Sequence, residues 1–217
     1  MISLRLARSL VTLLALSTTA VAVADSHDSH GGSIAAARQR AVGSTVTVRG
    51  TVTVPTNAFD GGFAVQQHNA GIYVLASGAT PRAIGDEVEI TGTLTSSAGL
   101  LAIDPTSITA RGHGDLIDAR DRRTGSVGEA TEGRLLQLEG QMVGDLVDDS
   151  PFGFKLDIDD GSGPIQIFLF PGTGISTAGL HDGVTLSVTC FSNQFEAFFE
   201  CDPRQPSDLR ITGDHGH

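Results

Sequence analysis

Short stretches in which apolar and polar residues alternate dominate the chain. In the stretch 46–54 every second residue is valine, except for Gly50, and the residues between them are threonine and arginine. A period of two residues is typical of a β-strand with one buried face. Gly50 within such a strand predicts a bulge or a tight bend. Long helical periodicity is absent and 27 residues are glycine, so the sequence predicts an all-β protein with many turns.

A few local signals add detail to this pattern. Ser33 directly precedes a short run of isoleucine and alanine, which predicts a helix with Ser33 as its N-cap. Residues 126–130 are a weaker copy of the same signal. Asp160 and Gly161 separate two strand-like stretches and predict a hairpin turn, because such turns need positive φ.

The sequence after residue 33 repeats itself once. IGDEVEITGTL in the first half corresponds to LHDGVTLSVTC in the second, and VTVRGTVTV corresponds to LLQLEGQMV. Each copy is too long for a solenoid repeat, so the pattern indicates a duplicated domain. Matched positions include Gly50 with Gly140, Phe63 with Phe154, Ile72 with Ile165, Val74 with Ile167, Val88 with Val184, and Pro105 with Pro206.

Three motifs together carry a family resemblance. They are h-x-V-x-G-x-V, D-x-D-D-G-S-G-x-I-x-I at 157–167, and G-D-x-V-x-I-x-G-x-L at 85–94. They resemble the OB-fold domains of exported bacterial proteins, especially the accessory OB domains of secreted nucleases and phosphoesterases. The resemblance implies two tandem five-stranded Greek-key barrels over 33–112 and 126–211, each preceded by a short helix or helical turn and joined by a linker at 113–125. Residues 67–71 depart from the family, which has an acidic turn there, and the catalytic domain that normally follows has no counterpart.

The first 24 residues predict export. Arg5 and Arg8 precede a short apolar run at 10–16, and residues 22–24 form a small-x-small cleavage site before Asp25. The apolar run is shorter than the roughly 20 residues of a membrane-spanning helix, so a cleaved signal peptide is favoured over a membrane anchor. We expect no membrane span after cleavage, a periplasmic or extracellular location, and disordered tails at 25–32 and 212–217.

The chain has two cysteines, Cys190 and Cys201. In an oxidising compartment such a pair is normally a structural disulfide. The alternatives are free thiols or a redox pair, but the spacing is far wider than in a C-x-x-C motif.

Charge is distributed unevenly along the chain. The formal net charge is −11, and removal of Arg5 and Arg8 with the signal peptide makes it −13. Residues 33–112 carry five arginines and five acids, whereas residues 126–211 carry four bases and fourteen acids. A negative surface disfavours nucleic acid in general. We therefore expect any polyanion to meet the first half and to be repelled by the second.

The resemblance suggests where a ligand binds. OB barrels bind ligands on strands 2 and 3, between the loops 1-2 and 4-5. The corresponding residues of the first barrel are Arg49, Gln66, His68 and Tyr73, although an ordinary polar face fits them too. The outward residues Leu75, Phe168 and Phe170 predict an interaction surface; the alternative is that the phenylalanines pack against the other barrel or a loop.

No sequence motif indicates catalysis, a metal site or a cofactor. H-x-E, G-x-S-x-G and the P-loop are absent. Residues 157–163 superficially resemble a calcium loop, but the closing acid is missing, which favours a polar turn. Terminal His27, His30, His215 and His217 lie near carboxylates, and solvated tails are favoured over metal ligands.

These features together predict an exported, non-catalytic binding or adaptor protein. The expected ligand is single-stranded nucleic acid, bound through the first barrel. The alternatives are a protein-interaction or glycan-binding envelope protein, and a metal-dependent hydrolase.

Overall fold

The computed structural model describes residues 32–76, 78 and 80–214. The predicted signal peptide, its cleavage site and the four terminal histidines lie outside these residues. The first half contains helix α1 and five strands: α1 Ile34–Ala37, β1 Thr45–Val54, β2 Phe63–Gln67, β3 Ala70–Val74, β4 Asp86–Ser97 and β5 Leu100–His113. The second half contains seven: β6 Arg120–Asp121, β7 Leu135–Asp148, β8 Phe154–Asp159, β9 Ile165–Leu169, β10 Val184–Phe195, β11 Phe198–Asp202 and β12 Leu209–Asp214. Short 3-10 helices lie at Thr124–Ser126, Pro171–Thr173 and Pro206–Asp208.

The all-β prediction is confirmed, and the first half forms a closed barrel. Its strands follow the order β1-β2-β3-β5-β4, and β4 pairs back onto β1. All neighbours are antiparallel except β3 and β5, which run parallel. This Greek-key order is that of an OB-like barrel. Val46, Val48 and Val52 of β1 point into its core, as their two-residue period predicts, whereas Val54 lies outside it.

The bulge predicted at Gly50 is found elsewhere in β1. Gly50 pairs in register with Val88, and the irregularity in β1 lies between Val52 and Val54. A side chain at Gly50 would crowd Ile34 of α1 and the backbone of Gln66. The glycine therefore allows the helix to close one end of the barrel.

The second half is a seven-stranded sheet with an additional pairing between β7 and β10. Its central strands pair in the order β7-β8-β9-β11-β10, with β9 and β11 parallel. Both β11 and β12 pair with β10, as the single long β5 pairs with β4. The 3-10 helix at Pro206–Asp208 separates β11 from β12. Strand β12 extends to Asp214, into the segment predicted to be a disordered tail.

The disulfide between Cys190 and Cys201 is confirmed. It joins β10 to β11 inside the core of the second sheet, where both residues are fully buried. The hairpin turn at Gly161 is also confirmed, with φ of 89° between β8 and β9.

One of the two helix predictions is confirmed. The Ser33 side chain accepts a hydrogen bond from the backbone N–H of Ala36, as an N-cap does. The N-cap prediction at Ser126 is wrong, because Ser126 ends a 3-10 helix. The helical turn expected before the second barrel is present slightly later, where the backbone N–H of Glu132 donates to the carbonyl of Gly128 at 3.0 Å. The Ser126 hydroxyl donates to the carbonyl of Arg123 instead of capping a new helix. Among the described residues, no helix is both long and apolar enough to cross a membrane.

The two halves share a third apolar cluster. It combines residues of the first barrel with one residue of β10, namely Val54, Ala58, Ala64, Tyr73, Leu100, Ala102 and Phe191. Polar contacts also join the two halves: Arg204 donates to the carbonyl of Thr53 at 2.7 Å, and Arg38 pairs with Glu132 at 2.8 Å. The outer face of the first barrel is thus packed against the second half.

Candidate ligand-binding surfaces

Gln66 and Tyr73, which were expected to face solvent, are buried between the two halves. Gln66 is 1% exposed, and its side-chain carbonyl accepts a hydrogen bond from the backbone N–H of Leu135 at 2.8 Å. Its amide donates to the carbonyl of His68 at 2.9 Å. The Tyr73 ring centroid lies 6.0 Å from that of Phe191. The face of strands β2 and β3 is therefore covered by the second half at these two residues.

Burial also changes the acidity of Tyr73. Removal from water raises the pKa of its phenol to about 12, and the negative charge of Asp60 adds to the rise. The backbone N–H of Gly62 opposes it. Tyr73 therefore stays neutral at physiological pH.

Unlike this buried pair, Arg49 is half-buried and His68 is exposed. The Arg49 Nε atom is 2.6 Å from the Glu89 carboxylate, which also accepts a hydrogen bond from Arg111. Hydrogen bonds from Arg49 and then Arg111 lower the pKa of Glu89. His68 is at the turn between β2 and β3, exposed, with φ of 53°. The four predicted residues thus do not form one surface.

Phe168 and Phe170 belong to an aromatic cluster that includes Phe59 of the first half. The Phe170 centroid lies 4.5 Å from that of Phe168 and 4.9 Å from that of Phe59. This is the packing alternative considered for these two residues. Leu75 is half-buried and lines a separate groove of about 520 Å³ together with Arg82 and Thr106.

Two buried carboxylates lie on the same face of β11. Glu200 is 5% exposed and Asp202 is fully buried. The Asn193 side-chain amide donates to both, at 3.0 and 2.8 Å. Burial, above all, raises the pKa of each, and the charge of Glu200 raises that of Asp202 further. Nothing in the sequence distinguishes these acids from the many exposed ones.

The acidic segment 157–163 consists of the end of β8 and the polar turn that follows it. Asp159 accepts hydrogen bonds from the backbone N–H groups of Gly161 and Gly163. Asp160 accepts from Ser162 and Thr124, and the Ser162 hydroxyl, above all, lowers its pKa to about 2. The carboxylates of Asp159 and Asp160 thus accept hydrogen bonds from the turn and from Thr124. Within the described ranges, no group of three or more His, Cys, Asp or Glu side chains is placed to hold a metal ion.

Exposed aromatic side chains occupy the end of the β10–β11 hairpin. Phe195 and Phe198 pair directly across the two strands, and they are 55% and 69% exposed. The hairpin end also touches the β4–β5 turn of the first half, where Gly99 forms a bridge with Phe195. This pair was not singled out from the sequence, because Phe191 and Phe199 nearby have the same side-chain type but pack inside.

A group of arginines lies where a simple linker was expected. Arg120 and Arg122 are exposed beside the start of β7, and buried Arg134 directly precedes that strand. Sequence reasoning missed the group because segment 113–125 has no net charge.

Comparison with known proteins gives limited similarity. No family model matches, and no curated protein matches. The tetrameric p202 HIN2 structure is 14% identical over 79% of this chain and 95% of its own, with a TM-score of 0.34. A murine DNA-binding protein bound with double-stranded DNA is 11% identical over 79% of this chain and 98% of its own, with a TM-score of 0.39. A replication protein A heterotrimer bound to single-stranded DNA is 13% identical over 78% of this chain and 49% of its own, with a TM-score of 0.34. At this level the similarity says nothing about ligands.

Proposed function

We propose that the chain is an exported, non-catalytic binding protein of two OB-type barrels, and that it binds single-stranded nucleic acid. The repeated strand order supports the second barrel: β7 to β11 pair as β1 to β5 do, including the parallel third and fifth strands. In this arrangement β12 continues the fifth strand. OB barrels commonly serve as binding modules for oligonucleotides and oligosaccharides.

The observation that carries the ligand assignment is the exposed pair Phe195 and Phe198. It lies at the loop between the fourth and fifth strands of the second barrel, one of the two loops that flank the ligand in OB folds. The proposed surface is therefore in the acidic second half and not in the first barrel, which the sequence favoured for a polyanion. The face of β2 and β3 is occupied by the second half at Gln66 and Tyr73, whereas this hairpin end presents two neighbouring exposed aromatic rings. Base stacking on an aromatic side chain contributes about 1–3 kcal/mol and tolerates any base.

Binding of a fluorescent oligothymidine tests the proposal. We expect the Phe195→Ser, Phe198→Ser double variant to bind at least about tenfold more weakly, since each stacked base contributes about 1–3 kcal/mol. Val42→Ser, which changes an equally exposed apolar residue elsewhere, is the control and should bind like wild type. Equal binding by the double variant, or no binding by wild type, would contradict the ligand assignment.

The remaining parts of the proposal have their own tests. Turnover of nucleic acid or phosphoesters with added divalent metals would contradict the non-catalytic role. Export predicts a mature N-terminus at Asp25, which N-terminal sequencing of the protein from the cell envelope checks.

A protein partner is the second candidate. Val143, Val147 and Phe152 are all more than half exposed on β7 and the loop after it. Polar substitution of Val147 and Phe152 should abolish cross-linking to such a partner and leave oligothymidine binding unchanged. Cross-linking that persists in that variant would remove this candidate.

A further inference from the structure

The connecting segment brings two arginines beside β7. Strand β6 runs parallel to β7, with Arg120 opposite Leu136. The backbone N–H of Arg122 donates to the carbonyl of Gln137 at 3.0 Å. Residues two apart in an extended segment share a face, so Arg120 in β6 and Arg122 directly after it lie on one side, and Asp121 lies on the other.

Arg134 is buried at the start of the neighbouring strand without a partner for its charge. It is 9% exposed, and its side chain donates a hydrogen bond to the carbonyl of Ala130 at 3.5 Å. Its Nε–H is buried and has no hydrogen-bond acceptor among the described residues. Burial lowers the pKa of the Arg134 guanidinium, and the positive charges of Arg122 and Arg120 lower it further.

Two arginines at the interface between the halves are matched by acids. Arg38 pairs with Glu132, and Arg204 forms hydrogen bonds to both carboxylate oxygens of Asp208. In contrast, Arg120, Arg122 and Arg134 form no ion pair within the part of the chain that the structure describes. An unpaired buried charge is costly. An external anion removes that cost.

We propose that Arg120, Arg122 and Arg134 form a binding site for a phosphate-type oxyanion. The guanidinium group presents a planar fork of N–H donors that matches phosphate oxygens. The Arg134 Nε–H supplies a donor already withdrawn from water, and the two exposed arginines supply charge from the adjacent strand. The oxyanion is either free phosphate or a phosphodiester of a nucleic acid. The site does not depend on base stacking at Phe195 and Phe198.

Titration of the mature protein with inorganic phosphate, at constant ionic strength held by chloride, tests this site. Calorimetry should show saturable binding by wild type. Arg120→Gln, Arg122→Gln changes only exposed side chains, and we expect at least about tenfold weaker binding from the lost charge-assisted bonds. Arg210→Gln removes one exposed positive charge on β12 and is the control. Arg134→Lys keeps the charge but loses the fork, so its binding should also weaken.

Each outcome decides the matter. No saturable phosphate binding, or equal binding by the Arg120→Gln, Arg122→Gln variant, overturns the site. A second arm uses oligothymidine: phosphate competition and loss of binding in the double arginine variant assign the site to a phosphodiester. Phosphate binding without competition assigns it to the free anion. Failure of the stacking proposal leaves phosphate binding intact, so the two proposals fail separately.

Discussion

Replacement of Phe191 by alanine should weaken the junction between the two halves. Phe191 is 1% exposed, and its ring lies 6.0 Å from Tyr73 and 6.1 Å from Phe59 between centroids. Truncation of a buried phenylalanine costs about 3–5 kcal/mol through lost burial and the cavity that remains. The cavity lies in the cluster that joins the halves, so the loss falls on their contact.

The chain carries its own probe of this junction. It has one tyrosine and no tryptophan, and Tyr73 lies in the shared cluster. In urea, Tyr73 fluorescence reports the junction and far-ultraviolet circular dichroism reports the strands. We expect the two transitions to coincide in wild type. In Phe191→Ala the fluorescence midpoint should fall by roughly 2 M, for a slope of about 2 kcal/mol per molar urea, and precede the loss of strands.

A matched variant separates burial from residue type. Phe198→Ala removes the same side chain from the same hairpin at an exposed position, and should change stability by less than about 0.5 kcal/mol. If the fluorescence midpoint of Phe191→Ala equals that of wild type or that of Phe198→Ala, the halves are not held together by this cluster.

Two further predictions concern the second half. Burial and the charge of Glu200 raise the pKa of Asp202 in the folded protein, so the folded state binds its proton more tightly. The stability that Asp202 contributes should then be lost as pH rises above the ordinary aspartate range, and Asp202→Asn should remove this loss from the urea midpoints. A variant as pH-dependent as wild type would refute it. Reduction of the disulfide, which closes a loop with a sequence separation of 11, should cost about 3 kcal/mol of unfolding free energy. An unchanged midpoint in reductant, with both thiols shown to be free, would exclude that contribution.

Much of the fold follows from local sequence pattern. The two-residue period of β1, the turn at Gly161 and the cap at Ser33 depend on neighbours along the chain, and each is present as predicted. The two cysteines needed only a shared compartment and adjacent strands.

The candidate site was harder to predict because it depends on which surfaces meet. Gln66 and Tyr73 alternate outward from the first barrel, as expected, but outward there means toward the second half. A two-residue period of apolar and polar positions distinguishes the two faces of a strand, but it does not indicate what covers either face. Arg134 likewise looks like any arginine until its burial beside Arg120 and Arg122 is seen.

At Gly71 and Gly133 the main chains of the two halves lie against each other. A methyl group on Gly71 would overlap the carbonyl oxygen of Gly133, and one on Gly133 would meet the carbonyl of Gly71 at 2.5 Å. Side-chain contacts tolerate drift, because larger and smaller residues can exchange across them during evolution. A contact between two backbones cannot be adjusted in this way, because any side chain at either position would clash. Sequences that diverge elsewhere should therefore keep glycine at both positions for as long as the halves pack in this arrangement.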